Sequence, residues 1–324
     1  MPPSSRVLPK SHHPVSVLRM RRRQERAAAW GGFVFTLFPP LLVLLVAGLL
    51  AWRAWPILSR YPLSELLMGR SWRPLQREFG FYPFIAGTLW VTCAALVLAV
   101  PPSLLTAIYL AEYAPSSVRA FLKPMLDLLA AIPSVVYGAW GMVAIVPAIQ
   151  NTLAPFLRRQ LGFISLFRSD NPTGFSVLAG AIVLAVMIAP FIIAVACEVM
   201  RNVPDGLRHA SLAVGATRWQ TVYPVVLPKS APGILAGIGL GLSRALGETM
   251  AVLMVVGNVV QVPRSLLDAA YPLPALIANN YGEMMSIPLY DSALMSAALI
   301  LLIVVLAFNL ASTILLRRIQ ARAR

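Results

Sequence analysis

Charge is what this chain has least of. Only 12% of its 324 residues are Asp, Glu, Lys or Arg against 58% hydrophobic, and the mean hydropathy of +0.75 lies far outside the range of a water-soluble domain of this length. Cysteine is nearly absent too. Cys93 and Cys197 lie far apart in apolar surroundings, so neither a disulfide framework nor a metal motif follows. His12, His13 and His209 form no ligand set. The Gly-Lys dipeptide does not occur, which excludes the loop that cradles nucleotide phosphates; any ATP used must be hydrolysed by another chain. No hydrolytic triad, H-E-x-x-H or haem pattern is present, so the chain reads as a non-enzyme without cofactor or metal.

What is present is long apolar sequence. A helix needs roughly 20 apolar residues to cross the hydrocarbon core. Five charge-free runs exceed that, at 27–52, 79–111, 128–157, 171–197 and 292–316, and a sixth, 231–263, is interrupted only by Arg244 and Glu248. The reading is an all-α integral membrane protein with six transmembrane helices. The charge-free stretch 269–282 is too short to span and holds Pro272 and Pro274, which points to an interfacial or re-entrant piece.

The first 29 residues carry seven Lys or Arg and one acid ahead of a hydrophobic run too long for a cleaved signal. They read as a basic cytoplasmic tail, mobile to about Met20, on a retained anchor. With that tail inside, six spans put both termini in the cytoplasm, with a second basic tail at 317–324. This places 17 Lys/Arg inside and nine outside, as the positive-inside rule requires. The formal charge of +15 is therefore a matter of topology rather than of nucleic-acid binding. The first outer loop, 53–78, holds five arginines and two acids, and serves either to attract anions or simply as a headgroup-facing loop.

Several local features stand out within the membrane-spanning body, 30–316. Pro101–Pro102 should kink or break the second span, and Pro133 and Pro147 should bend the third. The inner loop 198–229 is organised: Asp205 offers an N-cap after Pro204, Gly215 stops a first short helix, and a second begins near Thr217 and ends by Pro228. Such a hairpin is either a docking element or an ordinary structured loop. Gly233, Gly237, Gly241 and Ala245 recur every four residues, a small-residue ridge for close helix packing within the chain or between subunits.

Arg244 and Glu248 are four apart, which on one continuous helix places them one turn above another on a shared face. A charge at mid-bilayer costs roughly 2.5–3.5 kcal/mol even on lenient scales, so neither should face lipid. Two readings stay open. The pair neutralises itself and fixes packing, or the arginine meets a passing anion with the glutamate holding it in between; a guanidinium fork suits two phosphate oxygens.

Two stretches carry a family resemblance. His209-Ala210-Ser211-x3-Gly215-x9-Val225-x-Leu227-Pro228 resembles the E-A-A-x3-G-x9-I-x-L-P loop of binding-protein-dependent ABC importer permeases, with His209 standing where the family has glutamate. The run from Gly239 to Val252, with Arg244-Ala245-Leu246-Gly247-Glu248-Thr249-Met250, and the following Val256-Gly257-Asn258 resemble the phosphate-specific importers, in the form of their PstC-type rather than PstA-type permeases; Ile132 to Gly138 is similar to the third-helix motif of the same group. The likeness covers about 80–316. It implies the type I ABC importer permease fold, with a coupling helix in the inner loop docking on PstB-like ATPases, a PstA-like second permease, and a PstS-like external phosphate-binding protein. It also implies that Arg244 and Glu248 lie on the translocation pathway. A permease for sulfate or molybdate would share the loop but not the arginine motif; an ion-coupled secondary transporter commonly shows repeated halves, and no internal repeat is present; a membrane scaffold would keep the charged pair for packing alone but has no use for the coupling loop.

Overall fold

The computed structural model describes the backbone of residues 15–283 and 287–322; the sequence reading of a mobile tail falls partly on residues 1–14, outside that range, as does Arg324 at the other end. The chain divides into two compact units, Met1–Trp52 and Arg53–Arg324. The first consists, where described, of one helix: α1 (Val15–Leu58) begins inside the basic tail and crosses residue 29 without a break. Residues 15–20 of the tail are helical. Trp30, Phe33 and Phe38 are exposed in this unit, as suits a helix whose surroundings are lipid.

The second unit holds the remaining helices. After α2 (Leu63–Met68), a two-residue antiparallel pair, β1 (Trp72–Arg73) with β2 (Glu78–Phe79), packs Trp72 edge-on against Phe79 and Phe84. Then follow α3 (Tyr82–Ile108), α4 (Ser116–Ala131), a rod over Ser134–Leu161 made of α5 (Ser134–Trp140), α6 (Val146–Ala148) and α7 (Ala154–Leu161), and α8 (Val177–Arg201). The chain continues through α9 (Asp205–Ala213), α10 (Arg218–Thr221), α11 (Leu227–Gly247), α12 (Met250–Leu253), α13 (Leu273–Asn280) and α14 (Tyr290–Arg322). Among the described residues, six helical stretches are long and apolar enough to span a membrane: Ala28–Leu58, Tyr82–Tyr113, Ser134–Leu161, Val177–Arg201, Arg218–Gly247 and Tyr290–Ile314.

At the centre stands α8. Its Val183, Leu184, Ile188 and Ile192 are fully buried. Along α3, Ala95, Ala99, Ser103 and Ala107 repeat every four residues and are likewise buried, so the two helices approach over small side chains. α3 stays helical through Pro101 and Pro102 and continues as a π-turn to Tyr113, so the prolines do not break the span, which its close contact with α8 supports there. The carbonyls the prolines strand are carried by a helix pinned along its length against α8.

Span 3 is also differently placed. The apolar run 128–157 divides at Ile132–Pro133, both in extended conformation, because proline disfavours helical geometry in the residue before it. The span proper starts at Ser134, and the residues ahead of it belong to the separate amphipathic α4. The short piece 269–282 forms α13, whose Leu273, Ala275 and Leu276 are fully buried beside Phe84 and Tyr290.

Candidate functional site: the end of span 5 and the loop before it

The apolar run 231–263 does not continue as one helix. α11 ends at Gly247; Glu248 has φ −70 and ψ 130, and a new short helix, α12, starts at Met250. Glycine is a poor interior residue and leaves the backbone free to turn. The Glu248 carboxylate then accepts the Ala251 N–H at 3.2 Å, satisfying one of the donors exposed at the start of α12. This overturns the shared helix face assigned to Arg244 and Glu248. Among the described residues no ion pair joins the two. Arg244 sits in the last turn of α11 and lays its guanidinium carbon 4.0 Å from the centre of the Phe191 ring on α8. It is exposed within this chain.

Around the break the chain is tightly supported. A Cβ on Gly138 would lie 2.7 Å from Met254 Sδ and 3.0 Å from the Ala251 Cα, so the third-span motif meets the backbone just after Glu248. Tyr137 donates its hydroxyl to the Leu129 carbonyl at 2.7 Å. Immediately before Arg244, the Ser243 hydroxyl reaches Asn309 Oδ1 of α14 and the Gly239 carbonyl. Irregular backbone at membrane depth is tolerated only where protein buries it or it lines a cavity; here Ala251, Val252, Val255 and Val256 are buried.

The small-residue ridge faces α8. Gly233 abuts Val199, a Cβ on Gly237 would come 2.9 Å from Val195 Cγ1, and one on Gly241 3.0 Å from Ile192 Cγ1; Ala245 is buried on the same line. The contact is within this chain.

In the inner loop, α9 is entered from Pro204, with Asp205 already its first helical residue rather than a side-chain cap. Gly215, at φ +87, makes the turn, a backbone geometry that a Cβ disfavours. Thr217 and Gln220 then form a reciprocal capping box. The second helix is not short. It passes through a π-turn at Val222–Val226 into α11, so Arg218–Gly247 is one rod and Leu227 and Pro228 lie inside it. Proline at 228 is tolerated because the π-turn just ahead already displaces the normal hydrogen-bond ladder. His209 and Ala210 are exposed, and Ser211 Oγ lies 3.0 Å from Thr221 Oγ1, tying α9 to α10. Val214, Trp219 and Tyr223 present an apolar surface to solvent, the two rings stacked at 6.4 Å.

One anchor was not visible in the sequence. Arg208 Nη2 and Nε donate to the two Glu112 carboxylate oxygens at 2.9 and 3.3 Å, while its other donors reach the Met200 and Val203 carbonyls and Asp205. The hydrogen bond to Glu112 and the neighbouring carboxylate charges hold the Arg208 pKa above its ordinary value. Phe191 and Asn309 also went unmarked; of these only Asn309, a lone amide inside an apolar run, left a signal.

Residues 103–324 match the family described as the binding-protein-dependent transport system inner membrane component. Relatives named phosphate transport system permease protein PstC are 38% identical over 90% of this chain and 89% of the protein from Pasteurella multocida, and 35% identical over 92% and 93% for that of Haemophilus influenzae. Solved structures are similar in fold: a bacterial alginate ABC importer (TM-score 0.59, 17% identity, covering 93% of this chain and 99% of that one) and the inward-facing MetNI methionine ABC transporter (0.51, 22%, 72% and 93%). An importer-permease fold with six spans and an organised loop before the fifth defines the class. The chain belongs to the binding-protein-dependent transport permease family and, within it, to the PstC branch.

Proposed function

We propose that this chain is the permease subunit through which an ATP-driven importer passes inorganic phosphate, and that Arg244 contacts the anion on the way. The observation that carries the reading is the state of Arg244: a guanidinium near the end of a membrane helix, unpaired with Glu248, stacked on Phe191 and exposed on a face this chain does not cover. Lipid is a costly neighbour for such a charge, so that face belongs to a polar pathway or a second subunit. Stacking occupies the flat of the guanidinium and leaves its N–H edge for oxyanion oxygens. A single cation is weak enough to release what it binds. The names of the relatives favour phosphate over sulfate or molybdate.

The remaining assignments go with this one. The chain pairs with a PstA-like permease, receives phosphate from a PstS-like protein outside, and is moved by PstB-like ATPases. Its inner loop 198–229, with His209, Ala210, Ser211 and Gly215, docks on the ATPase, while Leu227 and Pro228 carry the motion into span 5. Both basic tails, 1–29 and 317–324, lie in the cytoplasm and flank the 30–316 permease domain. Glu248 acts by holding α12 at the break rather than by neutralising Arg244.

Uptake of labelled phosphate into proteoliposomes holding the full complex tests this. Native complex is expected to import phosphate without competition from sulfate, and Arg244→Gln to assemble and hydrolyse ATP but fail to transport. Normal uptake by the variant removes Arg244 from the pathway. A hydrolysing complex that moves no phosphate removes the substrate assignment.

A further inference from the structure

Beside the inner loop, α4 and the end of α8 enclose a cavity of about 390 Å³ that the transport reading does not use. Arg119, Lys123 and Asp127 line it from α4, spaced four residues apart on one helix face, and Glu198 and Arg201 line it from α8. Five charges meet there, yet among the described residues none of the five joins an ion pair. Arg119 spends one N–H on the Ala114 carbonyl at 2.9 Å, and its Nε is buried with no partner at all. The floor is apolar, formed by Leu126, Ile193 and Val199 among others. The outer face of α4 is apolar too, with Phe121, Met125 and Leu128 exposed along it.

We propose that this cleft binds an anionic phospholipid, its phosphate among Arg119, Lys123 and Arg201 and its chains along the apolar floor and α4. Charge and shape select the lipid over free phosphate. Three cations against two carboxylates leave one surplus positive charge, which one phosphodiester neutralises and which a phosphate dianion exceeds. An apolar floor has nothing to offer a bare ion. Amphipathic α4 lies where span 2 ends and span 3 begins, at the level where headgroups sit, and basic pockets between spans at that level suit lipid headgroups.

Native mass spectrometry of the intact complex in neutral detergent, titrated with phosphatidylglycerol or phosphatidylcholine, tests it. Phosphatidylglycerol is expected to be retained preferentially, and Arg119→Gln with Arg201→Gln to weaken that retention about fivefold for each cation removed. Asp127→Asn, which deletes an opposing charge, should strengthen it, a gain that a purely structural role does not produce. If the double variant does not assemble, Lys123→Gln on exposed Lys123 carries the same expectation for one cation. Equal retention of both lipids, or no effect of the charge variants, overturns the proposal. So does displacement of the lipid by millimolar inorganic phosphate, which makes this a site for the free ion.

Discussion

Arg208 and Glu112 are 96 residues apart in sequence and share a two-pronged, largely buried ion pair, with side chains 15% and 11% exposed. The pair fastens the first helix of the inner loop to the π-turn that ends span 2. Because Arg208 also takes the Met200 carbonyl at the end of α8 and the Val203 carbonyl just beyond it, a push on α9 reaches spans 2 and 4 through one side chain.

Removing one partner strands a desolvated charge, a loss of about 3–5 kcal/mol. Glu112→Gln and Arg208→Gln should each lower the melting temperature of the complex and raise the ATP hydrolysed per phosphate imported. Arg208→Lys, which keeps a cation beside Glu112, should retain part of both. If Arg208→Gln changes them and Glu112→Gln does not, the carbonyl contacts rather than the pair hold the loop.

At the turn between α9 and α10, Gly215 acts through its backbone conformation rather than through packing, since nothing lies within 4 Å of where its Cβ would be. Gly215→Ala therefore introduces no clash, only the left-handed penalty of about 1–2 kcal/mol. Stimulation of ATP hydrolysis by the loaded binding protein should weaken, while Gly215→Asn, which tolerates this geometry better, retains more of it. Equal behaviour of the two variants counts against a backbone origin.

Close packing makes the opposite prediction on α11. Gly237→Val drives methyl groups into Val195, and overpacking of this kind costs about 1–3 kcal/mol. Val195→Ala in the same chain should return the melting temperature towards native. Without that rescue, the ridge's contact partner lies elsewhere.

The spans and the loop motif were legible because both depend on local pattern: apolar length for the helices, and Pro204, Gly215 and Thr217 for the turn. The break at Glu248 was not, since apolar sequence continues on both sides and only the competition between helix continuation and the carboxylate's cap decides it. The division at Pro133 could have been read, as the residue before a proline resists helix. Nothing local marks Arg208 as Glu112's partner or Phe191 as Arg244's; both pairings exist only once α8 and its neighbours are packed.

That last contact carries its own test. If the Phe191 ring holds Arg244 at the pathway, losing the ring while keeping an apolar side chain should free the guanidinium without disturbing the packing of α8 greatly. The attraction of a cation to a ring face is about 0.5–2 kcal/mol, so Phe191→Leu should slow phosphate uptake about two- to thirtyfold while assembly and ATP hydrolysis persist. Phe191→Trp offers a stronger face and should transport far better than the leucine variant. Uptake measured at saturating loaded binding protein separates this from cargo delivery, which Phe191 does not touch. Should leucine and tryptophan behave alike, the ring only fills space, and Arg244 is placed by the helix break rather than by its neighbour on α8.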